Sequence, residues 1–209
     1  MNTTKPILFI ILASNLILFG CSDQVTNTPS QSDNQESTDD FKNRPFHNDI
    51  TSEIIDSTND DELLQLVFDN LYENIPEDFS KEYETVISWN KSRQAIYVIW
   101  ILEGEVNNGG FNQFYYNSSG EFANLLPEAL ELIGASKFSE LLERANSTYK
   151  TENDRITALQ DGTMEGFMDS YDNNPLDKYD DEFYELYEEE NLNDLQIKYI
   201  RSHKDDFIK

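Results

Sequence analysis

Residues 103–120 read Glu103-Gly104-Glu105-Val106-Asn107-Asn108-Gly109-Gly110-Phe111-Asn112-Gln113-Phe114-Tyr115-Tyr116-Asn117-Ser118-Ser119-Gly120. Ile96, Ile99, Trp100 and Leu102 recur at helical spacing before this stretch, which then runs into a double glycine. Glycine pairs accept positive φ and end helices readily, so a helix opened near Ser92 should close over Asn107-Asn108-Gly109-Gly110. A short aromatic-rich segment follows, and Asn117-Ser118-Ser119 is suited to cap whatever comes next. Two uses of the segment stay open. In one it is a packing corner, with Phe111, Phe114, Tyr115 and Tyr116 in the core and the amides satisfying turn backbone. In the other the amides orient a ligand. Neither use supplies a nucleophile or a general base.

The spacing on both sides is also helical. Leu63, Leu64, Val67, Leu71 and Ile75 recur at three and four, with Asn59-Asp60-Asp61 ahead as a capping cluster and Pro76 behind as a stop. Pro127 suits the first turn of a helix carrying Ala129, Leu130, Leu132 and Ile133, and Gly134 sits where a C-terminal cap belongs. Another helix begins at Ser136 with Phe138, Leu141, Leu142 and Ala145 on one face. Shorter helices are expected near 155–170 and 180–190, and a last one near 192–206 through Leu195, Ile197, Tyr199 and Ile200. No stretch alternates apolar and polar residues between turn pairs at hairpin spacing. The expected fold is all-α, a single compact multi-helix domain over residues 45–209 without internal repeats.

The N-terminal part is of another kind. Residues 1–20 carry one charge, Lys5, and an apolar run from Pro6 to Gly20. A helix crossing the hydrocarbon needs roughly 20 such residues, so the run fits a cleaved signal peptide better than a permanent span. It ends in Leu18-Phe19-Gly20-Cys21, which resembles a bacterial lipobox, with Phe19 bulkier than usual at its position. Cys21 is the only cysteine, so no disulfide partner accounts for it, and lipidation of Cys21 is expected. Each buried methylene contributes about 0.8 kcal/mol, so two or three acyl chains hold a protein where one does not. Residues 22–40 contain five acids, no base and no aromatic. They cannot bury enough apolar surface to offset the entropy of ordering, so residues 21–44 read as a lipidated Cys and a disordered acidic tether, of which the nineteen residues 22–40 alone reach roughly 24 Å. A bacterial cell envelope location follows as the expectation, and Ser22-Asp23 favours the outer membrane or cell surface.

Composition excludes more than it assigns. The chain holds 15 Lys+Arg against 41 Asp+Glu among 209 residues, a formal charge of -26. Attraction to nucleic-acid phosphates or anionic lipid therefore has the wrong sign, and no direct nucleic-acid binding is expected. One Cys with His47 and His203 supplies neither a cysteine cluster nor a three-histidine zinc site. Asp172-Asn173-Asn174-Pro175-Leu176-Asp177 lacks the glycine of a calcium loop. No nucleophile elbow, phosphate loop or metalloprotease helix appears, and any carboxylate pair nominated from 41 acids carries no information. No enzyme, no metal and no cofactor is expected.

Glu105-Val106-Asn107-Asn108-Gly109-Gly110-Phe111-Asn112-Gln113-Phe114, then Asn117-Ser118-Ser119-Gly120, then Ala129-Leu130 through Ile133-Gly134-Ala135, resembles the signature of the C-terminal domain of the DNA-mimic protein family. Leu176-Asp177 with Asp180, Phe183 and Tyr184, and Tyr199-Ile200-Arg201-Ser202-His203 with Phe207, are similar too, so the resemblance spans roughly residues 60–207. It implies a largely helical domain whose acidic side chains stand in for DNA phosphates on the DNA-binding surface of a transcription factor. The acids it would use are Glu103 and Glu105 beside the motif, and the run Asp180, Asp181, Glu182, Glu185, Glu188, Glu189 and Glu190.

Magnitudes temper that implication. Residues 41–209 hold 36 acids and 14 bases, about one acid per 240 Å² of a folded surface of this size. Duplex DNA presents roughly one phosphate per 110 Å². Mimicry therefore needs clustering, and residues 151–195 hold fifteen acids and two bases. The alternative use of the charge is a solvated face that keeps an envelope protein soluble. An exported chain also does not meet cytoplasmic transcription factors. The expectation is a non-enzymatic lipoprotein binding a protein partner with a basic surface. The alternatives are an envelope inhibitor or immunity-type protein using apolar and shape contacts, and an enzyme of unknown type.

Overall fold

The computed structural model describes Arg44 and residues 46–208. The leader, Cys21 and the tether up to residue 43 lie outside the described residues. Arg44, assigned above to the tether, forks onto Asp69, with its Nε and one terminal nitrogen donating to the two carboxylate oxygens at 2.5 and 2.7 Å.

The helices in chain order are α1 (Ser52–Ser57), α2 (Asp60–Tyr72), α3 (Glu82–Ser88), α4 (Lys91–Tyr116), α5 (Leu126–Ile133), α6 (Ser136–Thr151), α7 (Asn153–Thr157), α8 (Met164–Asp169), α9 (Asp177–Leu186) and α10 (Leu192–Ser202). Single 3₁₀ turns at Ser118–Phe122 and Lys204–Asp206 follow α4 and α10. No strand occurs among the described residues, so the domain is all-α as its spacing predicts.

α4 is the axis of the molecule. Ala95, Ile96, Tyr97, Val98, Ile99, Leu102 and Val106 are all buried, so this helix is apolar nearly all round, the pattern of a core helix and not of a surface one. Asn90 opens it by accepting the Arg93 N–H at 2.9 Å. α2, α3, α5 and α9 pack against it, and α6 packs on both α5 and α9. Gly134 takes φ 89 at the end of α5, which lets α6 turn back at once. The Phe138, Leu141, Leu142 and Ala145 face of α6 is buried. Leu132 stands outside that core, exposed on α5.

Two local expectations change. The segment after the double glycine is not an irregular connector but the last turns of α4, since only Gly109 and Gly110 leave helical φ/ψ. Asn117 caps nothing with its side chain, and its Nδ2 donates instead to Glu105. The start of α6 likewise takes its cap from a distance: the Glu190 carboxylate accepts the Lys137 N–H at 3.0 and 3.2 Å.

Candidate functional site

The double glycine makes an elbow in α4. Gly110 adopts φ 68 and ψ -172, which sets the chain off at a new angle and leaves the N–H of Phe111 without an intrahelical acceptor. Asp180 of α9 fills that gap, accepting the Phe111 N–H on Oδ1 at 2.7 Å. Its carboxylate lies so close that a Cβ on Gly110 would collide with it. Tyr171 donates its hydroxyl to the Gly109 carbonyl at 2.9 Å, and Tyr184 donates to the Val106 carbonyl at 3.0 Å. Two backbone carbonyls beside the break thus take side-chain donors.

Side-chain amides lace the two arms together. Glu105 Oε2 accepts from Gln113 Nε2 at 2.7 Å and from Asn117 Nδ2 at 2.8 Å, while its Oε1 accepts from Ser119 Oγ at 2.7 Å. Asn108 Nδ2 donates to Gln113 Oε1 at 2.9 Å. Buried Asn112 donates to Ser170 Oγ and accepts from Asn174 Nδ2, both at 2.9 Å. Phe111 and Phe114 are fully buried, and Phe111 meets Tyr179 and Phe183 edge-on. Asn107, Asn108, Asn117 and Ser118 lie on the surface, while Gly109, Gln113 and Gly120 are half-buried. Of the two uses left open above, the packing corner accounts for the motif's polar groups: Asn112, Gln113 and Asn117 spend their amides inside the fold.

The acids nominated for a partner separate into three sets. Glu103 and Asp180 point inward. Glu103 is buried, accepting from the Tyr187 hydroxyl and from Gln196 Nε2 at 2.9 Å, and burial pushes its carboxyl above the ordinary range against those two bonds. Asp180 is raised to about 6, chiefly by burial, with the Phe111 N–H opposing and the charges of Asp177 and Asp181 adding. Both are withdrawn from the surface set, because each satisfies an interior donor that water does not reach. A second set is committed to neighbours: Glu105 to the elbow, Glu182 to Arg144, Glu189 to Lys137 and Glu190 to the start of α6. Asp181, Glu185 and Glu188 remain, exposed and in no ion pair among the described residues.

Asp177, which lies ahead of the run 180–190, is exposed as well and joins those three. At 100° per residue, Asp177, Asp181 and Glu185 fall in one stripe down the side of α9 away from buried Leu176, Tyr179 and Phe183, and Glu188 follows in the turn beyond the helix. Burial first and the Asp181 charge second raise the Asp177 carboxyl above its ordinary value, so these neighbours feel each other. Steps of four residues rise about 6 Å, against about 3.4 Å per phosphate along one DNA strand. The stripe is therefore roughly half as dense as the line it would imitate.

Other features have local explanations. An open groove of about 510 Å³ between α2 and α10 is lined by Asp60, Asp194, Lys198 and Arg201. The Arg201 guanidinium there already donates to the Ile55 and Thr58 carbonyls at 2.6 and 2.8 Å and to Asp60. Ser202 Oγ sits 3.0 Å from His203 Nδ1, but it is also 2.9 Å from the Lys198 carbonyl and 3.0 Å from that of Tyr199, the usual closure of a helix end. No group of three or more His, Cys, Asp or Glu among the described residues is placed to hold a metal ion. One surface feature was missed altogether in the sequence. Met164 and Met168, four apart on α8, project into solvent, and only that spacing in an otherwise acidic stretch hints at it.

A family model described as DMP19-like protein matches residues 87–203. That range is narrower than the 60–207 read from the motifs, and it contains the elbow, α9 and α10. No curated protein and no solved structure matches the chain.

Proposed function

The chain belongs to the DMP19-like protein family, and from that premise we propose that it is a non-enzymatic binding protein, held at a bacterial cell envelope by lipid on Cys21, whose acidic helical domain meets a basic surface on a protein partner. The observation that carries this reading is the stripe of Asp177, Asp181 and Glu185 on the outer side of α9, with Glu188 in the turn that follows it. Those four carboxylates make no ion pair among the described residues, whereas neighbouring Glu182 and Glu189 are neutralised by Arg144 and Lys137. A rigid row of like charges at fixed spacing steers a cationic surface and sets its register more than it adds raw affinity. The lipobox at Leu18–Cys21 supports the anchor and, with it, a partner outside the cytoplasm. The DNA-mimic role of the family would then pass to this chain as its physics, negative groups offered to a basic protein face, and not as the same partner.

The test is capture of envelope proteins by the full chain at increasing salt. Affinity should fall steeply as ionic strength rises, and the triple variant D181N/E185Q/E188Q should bind at least tenfold more weakly at low salt. A partner retained in molar salt by wild type and triple variant alike would refute the acidic-face reading. Labelling of the chain by a palmitate analogue, lost in Cys21→Ser, tests the anchor. A second reading, an envelope inhibitor or immunity-type protein acting by apolar contact, is favoured by the exposed side chains of Met164 and Met168.

A further inference from the structure

We propose that the apolar strip formed by Met164, Met168, Phe167 and Tyr116 is a docking surface for a cationic amphipathic helix on a protein partner. The proposal rests on the reading of this chain as a protein-binding module, but on a different surface from the α9 stripe. Met164 is 75% exposed and Met168 61%, the two most exposed large apolar side chains of the described residues. On α8 they share a face with Phe167, whose ring centroid lies 4.5 Å from that of Tyr116 at the end of α4 and 5.3 Å from that of Tyr171. The strip therefore continues from α8 onto the elbow.

The fold holds the methionines outward. Gly166, on the opposite side of α8, is buried, and a Cβ there would strike the Leu159 carbonyl and the Asp161 carboxylate. The preceding loop is thus pressed against the glycine face, and Thr163 fixes the first turn by accepting the Gly166 N–H at 3.0 Å. Rolling α8 to bury Met164 and Met168 would drive Gly166 out of that contact. Methionine is unbranched and polarisable, and it suits a surface that must fit an incoming apolar face.

Charge selects the occupant. Along the stretch of chain that carries the methionines, Glu152, Asp154, Asp161, Glu165, Asp169 and Asp172 are all exposed. Arg155 is the only base in that stretch, and it is spent on Glu152 and on the Asn173 carbonyl. A second copy of this chain would set the same acids against each other, and an anionic lipid surface would be repelled. A helix with one apolar face and a Lys/Arg rim matches both the strip and its border.

The test uses the full chain and two synthetic helices of equal length and charge, roughly 18 residues or five turns. One has its leucines on a single face between lysines; the other has the same residues scrambled. Calorimetric titration should show the segregated helix binding at least tenfold more tightly than the scrambled one. M164Q/M168Q should remove that preference while circular dichroism stays unchanged, since both side chains are already in solvent. Equal binding of the two helices, or a preference that survives M164Q/M168Q, would overturn the proposal, as would Met-dependent self-association in sedimentation. Equal, salt-sensitive binding that disappears in D181N/E185Q/E188Q would sink this surface and uphold the acidic stripe. Met-dependent preference with no effect of that triple variant would do the reverse.

Discussion

Asp180 accepts the backbone N–H of Phe111 at 2.7 Å, across 69 residues of chain. That bond makes α9 the cap of a helix it does not belong to. It also ties together two sequence-distant stretches of this chain: the double glycine creates an orphan donor, and the acid of α9 satisfies it.

Gly110→Ala should therefore damage the fold twice over. Alanine at φ 68 is strained, and its Cβ displaces the Asp180 carboxylate from Phe111. A φ penalty near 1 kcal/mol and a lost cap of similar size give an expected loss of about 2–3 kcal/mol. Gly134→Ala is the control, because its φ is 89 but no atom lies within 4 Å of the added Cβ. It should cost about 1 kcal/mol. Thermal melts of the two variants check the difference, and equal losses would refute the role given to Asp180.

The same carboxylate should make stability depend on pH. Its folded pKa, about 6, lies above the ordinary 3.8, so between those values the folded chain holds a proton that the unfolded chain gives up. The contribution is present in full below the unfolded value and is lost as pH rises through about 6. Asp180→Asn keeps an oxygen for the Phe111 N–H and removes the titration. Relative to the wild type, that variant should be more stable at pH 7.5 than at pH 5, and the Phe111 amide resonance should lose its inflection near pH 6. A wild-type amide with no inflection in that window would count against the assignment.

Much of this was legible in the sequence, and the rest fails for a definite reason. The register of α2, the break at Gly109-Gly110, Pro127 in the first turn of α5 and the cap at Gly134 are local signals, and each lies where the spacing predicts, although the helix resumes after the break. The acidic run is where local reading fails. Counting charge treats Asp180, Asp181 and Glu182 as equivalent, yet one is a cap, one is exposed and one is in an ion pair. Helical phase separates them: Asp180 follows Leu176 by four and precedes Phe183 by three, so it shares their buried face. Nothing local foretells Glu103. Its partners Tyr187 and Gln196 lie 84 and 93 residues away, and an acid within an apolar helix is recognised as interior only once that helix proves to be the core.

Replacing Glu103 should separate a buried structural acid from a binding one. Glu103→Ala strands the Tyr187 hydroxyl and the Gln196 amide, whose Oε1 is already without a partner among the described residues, and opens a cavity. The expected loss is about 2–4 kcal/mol. Glu103→Gln keeps the shape and an acceptor for Tyr187 while removing a carboxyl that burial disfavours as an anion. Relative to the wild type it should gain stability as pH rises, because burial disfavours the ionised carboxyl. Urea denaturation at pH 8 and pH 5 reads both variants, and Gln as damaging as Ala at pH 8 would contradict the buried-acid account.

Glu105 is the decisive residue for whether the motif binds or builds. Its carboxylate faces Gln113, Asn117 and Ser119, three donors from beyond the elbow, so its negative charge is directed into the chain and not at a partner. Hydrogen bonds to a charged acceptor contribute about 1.5–3 kcal/mol where water does not compete. Glu105 is half-buried, so water recovers part of the loss in Glu105→Ala, which should cost about 2 kcal/mol. Glu105→Gln retains a single acceptor oxygen and should fall between. A double-mutant cycle with Gln113→Ala should return a coupling above about 0.5 kcal/mol, as expected for residues in contact. Capture of a basic partner per folded molecule should stay unchanged in Glu105→Ala and drop in D181N/E185Q/E188Q. The opposite pattern, with stability intact and capture lost at Glu105, would move the binding surface from α9 to the elbow.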